Sequence, residues 1–209
     1  MYVAGVQLDI AWEDKVANHA KVRGLVAAAK LPKGALVVLP EMFATGFSMN
    51  VAGIAEVPGG MTEAFFASLA MEQGVYVAGG VVVRAPDGRG LNQSLTVGPD
   101  GALVARYSKI HPFSYAGETA HYAPGTETLT YPWGGASVSP FVCYDLRFPE
   151  IFRSAVRRGA QLYTVIASWP QARIEHWIAL LRARPAPEPR RLPAHLRRCR
   201  LPACIVFVA

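Results

Sequence analysis

Three side chains that could share one acyl-transfer reaction stand where apolar runs end: Glu41 after ALVVLP, Lys109 after ALVARYS and Cys143 after SVSPFV. A thiol can attack a carbonyl carbon, a carboxylate can carry the proton that is displaced, and an ammonium can face the oxyanion that develops. Each residue also has a plainer reading. A cysteine after an apolar run is often an inert buried thiol, a lysine at a strand end is usually solvated, and a glutamate after proline usually opens a turn. Position alone leaves both readings open.

The elements that must bring the three together can be read from the hydrophobic pattern. YVAGVQLDI predicts a buried strand, followed by a helix with Val22, Leu25, Val26 and Ala29 on one face. ALVVLP predicts a second buried strand stopped by Pro40. MTEAFFASLAMEQ, with Thr62 near its N-cap, predicts a helix, and GVYVAGGVVVR a central strand. LNQSLTVGPDGALVARYSK carries strand, Pro-Asp-Gly turn and strand, the pattern of a hairpin. ASVSPFVC, FPEIFRSAVRRG, AQLYTVIAS and ARIEHWIALLRAR then alternate strand and helix. Such alternation predicts a layered α/β sandwich with a mixed sheet, in which ligand sites gather at the carboxyl ends of strands. Residues 110 to 134, rich in Pro, Gly, Tyr and His, predict a long functional loop.

Composition narrows the function classes. The net charge of +6 lies wholly in residues 182 to 209, where seven arginines face one glutamate, so the body is neutral and offers no footprint for nucleic acid. Neither a signal-peptide pattern nor an apolar run of about 18 residues is present, so no membrane partner and a cytoplasmic location are expected. Cys143, Cys199 and Cys204 form no CxxC pair, which argues against a disulfide framework and a zinc site. No metal or other cofactor is expected. GVYVAGG and APDGRG lack the context of a phosphate-binding loop, and Ser48 and Ser168 that of a nucleophile elbow. None of the five histidines has the surroundings of a papain-type Cys-His pair; His111 and His121 read as loop residues near the site.

The residues around the three strand ends carry a more specific signal. LPEMF, YSKIHPF and CYDLRFPE, in this order and at these separations, resemble the nitrilase superfamily of carbon-nitrogen hydrolases, over residues 1 to about 184. The phrases YAGETAHYAPG, CYDLRFPE and ASWPQARIEHWIALLRAR are most similar to its omega-amidase group. The resemblance implies a four-layer αββα sandwich, a homodimer, and hydrolysis of the terminal amide of a small 2-oxo acid amide such as 2-oxoglutaramate or 2-oxosuccinamate. It implies Cys143 as nucleophile, Glu41 as proton carrier, and Lys109 with the backbone N–H of Tyr144 at the oxyanion. Glu118, in YAGE, is implied as a second carboxylate that bonds Lys109 or positions substrate. Arg147 is a candidate for a substrate carboxylate, although it could equally pair with Asp145 or Glu150; Phe113, Tyr115 and Trp169 are candidate pocket walls.

The resemblance also implies further strands beyond residue 184, where the chain instead turns to PAPEPRRLPAHLRRCRLPACIVFVA, with five prolines and five arginines. We therefore expect a truncated hydrolase domain over 1–184 and an aberrant, frameshifted or disordered tail over 185–209, with no evident partner for a strand in CIVFVA. An incomplete sandwich would be weakly stable and poorly active. The alternatives are a non-catalytic remnant or binding protein, and another amidase of the superfamily acting on N-carbamyl amino acids or deaminated glutathione.

Overall fold

The computed structural model describes residues 1–184 and the backbone of Ile205–Val208. The chain runs β1 (Val3–Gly5), α1 (Lys15–Ala28), β2 (Leu36–Val38), α2 (Val51–Ile54), α3 (Met61–Gln73), β3 (Tyr76–Arg84), β4 (Gly90–Val97) and β5 (Leu103–Ser108). It continues with α4 (Glu118–His121), β6 (Tyr131–Trp133), β7 (Ala136–Val142), α5 (Pro149–Arg157), β8 (Leu162–Ile166), α6 (Ile174–Ala183) and β9 (Ile205–Val208). One sheet has the order β1-β2-β3-β4-β5, parallel over the first three strands and antiparallel over the hairpin β3–β4–β5. The other has the order β6-β7-β8-β9, antiparallel only between β6 and β7.

Alternate residues of β2 and of its continuation to Leu39 explain the layering. Val37 and Leu39 join Val22 and Val26 of α1 and Phe65, Phe66 and Leu69 of α3 in one buried cluster. Leu36 and Val38 face the opposite way, into a cluster with Tyr107, Trp133, Val138 and Phe141 that continues to Phe152 of α5 and Trp177 and Leu181 of α6. The order is helices, sheet, sheet, helices: the expected αββα sandwich.

Several details differ from expectation. The first strand is confined to Val3–Gly5, because its partner β2 gives way after Val38 to Leu39 and Pro40 and the pairing ends with one bond from Val6 N–H to the Val38 carbonyl. On α1 the buried face is Asn18, His19, Val22 and Val26, leaving Leu25 and Ala29 exposed. Asn18 earns its burial by bonding the Ala11 and Ala44 carbonyls. Gly60, not Thr62, is the N-cap of α3; Glu56 caps it instead, accepting both the backbone N–H and the hydroxyl of Thr62. The long loop contains α4 and β6.

The expectation for the tail falls mostly on residues 185–204 and 209, which lie outside the described residues. Within CIVFVA, Ile205–Val208 do find a strand partner: β9 pairs in parallel with β8, Ile205 opposite Tyr163. Among the described residues no helix is long and apolar enough to cross a membrane.

Candidate active site

Glu41, Lys109 and Cys143 converge between the two sheets, each just past the carboxyl end of its strand. Glu41 follows β2 through Leu39 and Pro40 and enters a turn in which Met42 adopts a φ of +47°. The turn is pressed against β3 at Gly80, where a β-carbon would stand 2.2 Å from the Met42 nitrogen and 2.7 Å from the Glu41 α-carbon. Only glycine lets the two backbones approach so closely. Lys109 follows β5 directly, its N–H still bonded to the Asn92 carbonyl of β4 at 2.8 Å. Cys143 follows β7 with a φ of +48°, at the start of a 3-10 turn over Cys143–Arg147. A non-glycine residue in this region carries backbone strain of order 1–3 kcal/mol, which the surroundings must hold in place.

Asp145 supplies much of that hold. Fully buried, it accepts the Tyr107 hydroxyl at 2.7 Å, the His111 backbone N–H and Nδ1 each at 3.0 Å, and the Val142 N–H at 3.1 Å. One carboxylate thus ties the residue before Cys143 to the segment just after Lys109. Burial and the Asp145 charge raise the Tyr107 phenol well above its ordinary range, so it remains a donor. The pairing of Asp145 with Arg147 left open above does not form. Arg147 lies beside His176 Nδ1 at 3.2 Å and over the rings of Tyr144 and Trp169.

Beneath the thiol lies a buried charge network. Lys109 Nζ donates to Glu41 Oε1 at 2.9 Å and to Glu118 Oε2 at 2.8 Å, and all three side chains are 1% exposed or less. Glu41 Oε2 accepts the Ser168 N–H at 2.8 Å, at the end of β8. Glu118 also accepts the Phe113 N–H, tying the loop ahead of α4 to the network. Burial alone would lower the Lys109 pKa, but the charges of Glu41 and Glu118 overcome it, and the ammonium is held well above the usual lysine range. Burial is the main cause that raises the Glu118 carboxyl, with Lys109 pulling the other way and Glu41 adding to the rise. Burial likewise pushes Cys143 well above the usual thiol range, reinforced by the Glu41 charge and a hydrogen bond to that carboxylate. These shifts favour the protonated sulfur, with the Glu41 carboxylate as its charged neighbour.

Cys143 opens onto a cavity of about 110 Å³ walled by Phe47, Phe113, Tyr144 and Trp169, with Arg147 and Arg173 also on its lining. The expected wall residues Phe113 and Trp169 are in place. Tyr115 is not on the lining; it is 82% exposed, because it stands on the outer side of the 3-10 turn Ser114–Ala116 near Phe113 and Arg173. Arg173 and Asn92 belong to the site but were not anticipated. Asn92 lies within the hairpin phrase LNQSLTV and Arg173 at the start of the helix phrase ARIEHWIALLRAR, and neither phrase carries a local signal of a site. Among the described residues there is no cluster of ligating side chains suited to a metal.

Comparison with known proteins agrees with this geometry. The family model described as carbon-nitrogen hydrolase matches residues 2–186. The chain is 38% identical over 179 residues to the omega-amidase YafV of Yersinia enterocolitica, covering 86% of this chain and 67% of that protein. It is 29% identical over 184 residues to the 2-oxoglutaramate amidase of Bacillus subtilis, covering 87% of this chain and 70% of that protein. Among solved structures it is similar to a CN-hydrolase superfamily protein from Xanthomonas campestris that bears an arsenic adduct in its active site, with a TM-score of 0.79, 36% identity, and coverage of 87% of this chain and 69% of the other. The fold, the convergence of the three strand ends and these similarities together make the chain a member of the carbon-nitrogen hydrolase family.

Proposed function

We propose that this chain carries the active site of an amidohydrolase that cleaves the terminal carboxamide of a small 2-oxo acid amide, of the 2-oxoglutaramate or 2-oxosuccinamate type, to a carboxylate and ammonia. The observation that carries the reading is the buried Glu41–Lys109–Glu118 network beside the Cys143 thiol on the lining of a small cavity. In this mechanism Glu41 takes the Cys143 proton as the sulfur attacks the amide carbon, giving a tetrahedral oxyanion faced by Lys109 and the Tyr144 N–H. Glu41 returns the proton to the nitrogen, the C–N bond breaks, and ammonia leaves a thioester. A water molecule, deprotonated by Glu41, then attacks the thioester and restores the thiol.

The substrate class is supported by the cavity lining. Arg147 and Arg173 have no carboxylate partner within salt-bridge distance among the described residues; both rest on aromatic rings, which leaves their guanidinium edges available to a substrate carboxylate. The relatives named for omega-amidase and 2-oxoglutaramate amidase activity favour the same class. A homodimer belongs to the proposal, and sedimentation at micromolar concentration reads it.

The test is ammonia release from 2-oxoglutaramate by the purified chain and by Cys143→Ala, beside glutamine, an N-carbamyl amino acid, a nitrile and deaminated glutathione. Turnover of the 2-oxo acid amide that disappears in Cys143→Ala supports the proposal. Equal background in both proteins replaces it with a non-catalytic binding protein, and turnover confined to another compound moves the chain to another amidase class.

A further inference from the structure

Asn92 lies on β4 and is 2% exposed. Its Nδ2 donates to Glu41 Oε1 at 2.7 Å and to Glu118 Oε1 at 2.8 Å, so both amide protons are spent on the two buried carboxylates. Its backbone carbonyl accepts the Lys109 N–H. The amide orientation is fixed by charge, because the opposite one would set its oxygen against two carboxylate oxygens. It holds this orientation although Oδ1 has no hydrogen-bond partner among the described residues. An orphaned buried oxygen is costly, and its persistence points to a use on the other side of the amide.

That use follows from counting acceptor positions on Glu41. Among the N–H donors of the described residues, Oε1 receives two, Lys109 Nζ and Asn92 Nδ2, while Oε2 receives one, from Ser168. A carboxylate oxygen has room for about two donors. We propose that Asn92 is a positioning residue that saturates Oε1 of Glu41, so that the remaining lone pair on Oε2 takes the Cys143 proton, and that holds Glu41 and Glu118 together as acceptors beside a single Lys109. The idea rests on Glu41 acting as the base for Cys143. The charged and titratable groups facing this amide are Glu41, Glu118 and Lys109, with Cys143 and Tyr122 interacting with the same carboxylates. The Asn92 hydrogen bond opposes the rise of the Glu118 carboxyl.

Alkylation of Cys143 by iodoacetamide, followed by mass spectrometry of the Cys143 peptide across pH, reads thiol activation without requiring amide turnover. Removing donors from a carboxylate favours its protonated form. Asn92→Leu, close in shape and without donors, should move the acid limb of the rate profile upward by about one to two units. At a pH on that limb the rate falls roughly 10- to 100-fold, and it recovers to within about threefold of wild type above the limb. Asn92→Asp, which removes the donors and adds a third carboxyl group, should shift the limb in the same direction. A loss of rate that is equal at every pH, an unshifted limb, or failure of both variants to fold would each overturn the proposal, because each marks Asn92 as a packing residue. Glu41→Gln separates the two levels: a wild-type limb that survives it removes Glu41 as the base, whatever Asn92 does.

Discussion

Asp145→Asn is the most informative single change to the cysteine turn, because it keeps the shape of a fully buried side chain and alters only what it can accept. The native carboxylate takes four donors, from the Tyr107 hydroxyl, the Val142 N–H, and the N–H and Nδ1 of His111. An asparagine oxygen accepts about two, and its NH₂ group then confronts the donors that remain. The phenol can rotate away, which leaves one or two buried donors unpaired at about 1–3 kcal/mol each. With the lost charge assistance to the surviving bonds, the total is about 3–5 kcal/mol. Against a total stability of order 5–15 kcal/mol, the urea midpoint should fall steeply and the melting temperature by about 10 °C. Cys143 alkylation should slow at every pH, since the turn that holds its strained φ has lost its tie to β5. A variant that loses less than about 1 kcal/mol and alkylates at the wild-type rate throughout would refute this account of the turn.

Gly80→Ala places a methyl group against the backbone of Met42 and Glu41, so it should cost about 3 kcal/mol or more and abolish thiol activation together; an active variant of wild-type stability in urea would contradict the close approach. Phe152→Ala removes a fully buried ring that packs on Phe141 at 4.0 Å and Tyr163 at 5.3 Å, and equilibrium unfolding should show a loss of about 3–5 kcal/mol. Glu63 tests pH dependence away from the site. Burial alone would raise its carboxyl, but the Gly59 N–H and Arg106 overcome this and hold it below its ordinary value of 4.5. Its folded-state pKa is depressed, so its contribution is present above that ordinary value and is lost as pH falls through the folded one. Glu63→Gln should therefore be less stable than wild type by up to about 1 kcal/mol at neutral pH, with the gap closing as pH falls below 4.5 through the lowered folded-state value; urea midpoints showing a constant gap would exclude the linkage.

Two of the strand ends could be read from sequence because buried parallel strands write themselves as apolar runs, and Glu41 and Cys143 stand where such runs break. Lys109 was legible by another route: it directly follows β5, a half-buried antiparallel strand marked by the Pro-Asp-Gly turn of its hairpin. Asn92 escapes both routes for a physical reason. Alternation in a strand is normally read as polar side out, yet Asn92, Ser94 and Thr96 are all buried, as are Leu95 and Val97 on the other face. The polar face of β4 turns inward, and no local pattern distinguishes it from a solvated one. Asp145 was hidden by proximity: sequence offers it Arg147 two residues away, whereas its partners lie 34 and 38 residues back. Leu25 shows the converse, an apolar residue at helical spacing that the neighbouring layer does not reach.

The split of the site between the sheets also bears on how the protein comes into being. Glu41, Asn92 and Lys109 are carried by the sheet completed by residue 108, whereas Cys143 and Ser168 stand just past β7 and β8, which follow it in the chain. A chain emerging from the ribosome therefore presents Glu41 and Lys109 long before Cys143, and in the proposed mechanism neither half could run the reaction alone. The cysteine acquires its chemistry only when the second sheet docks on the first, one of the most non-local events in folding. In the proposed mechanism, Cys143 alkylation followed during refolding should therefore appear together with the docking of the two sheets.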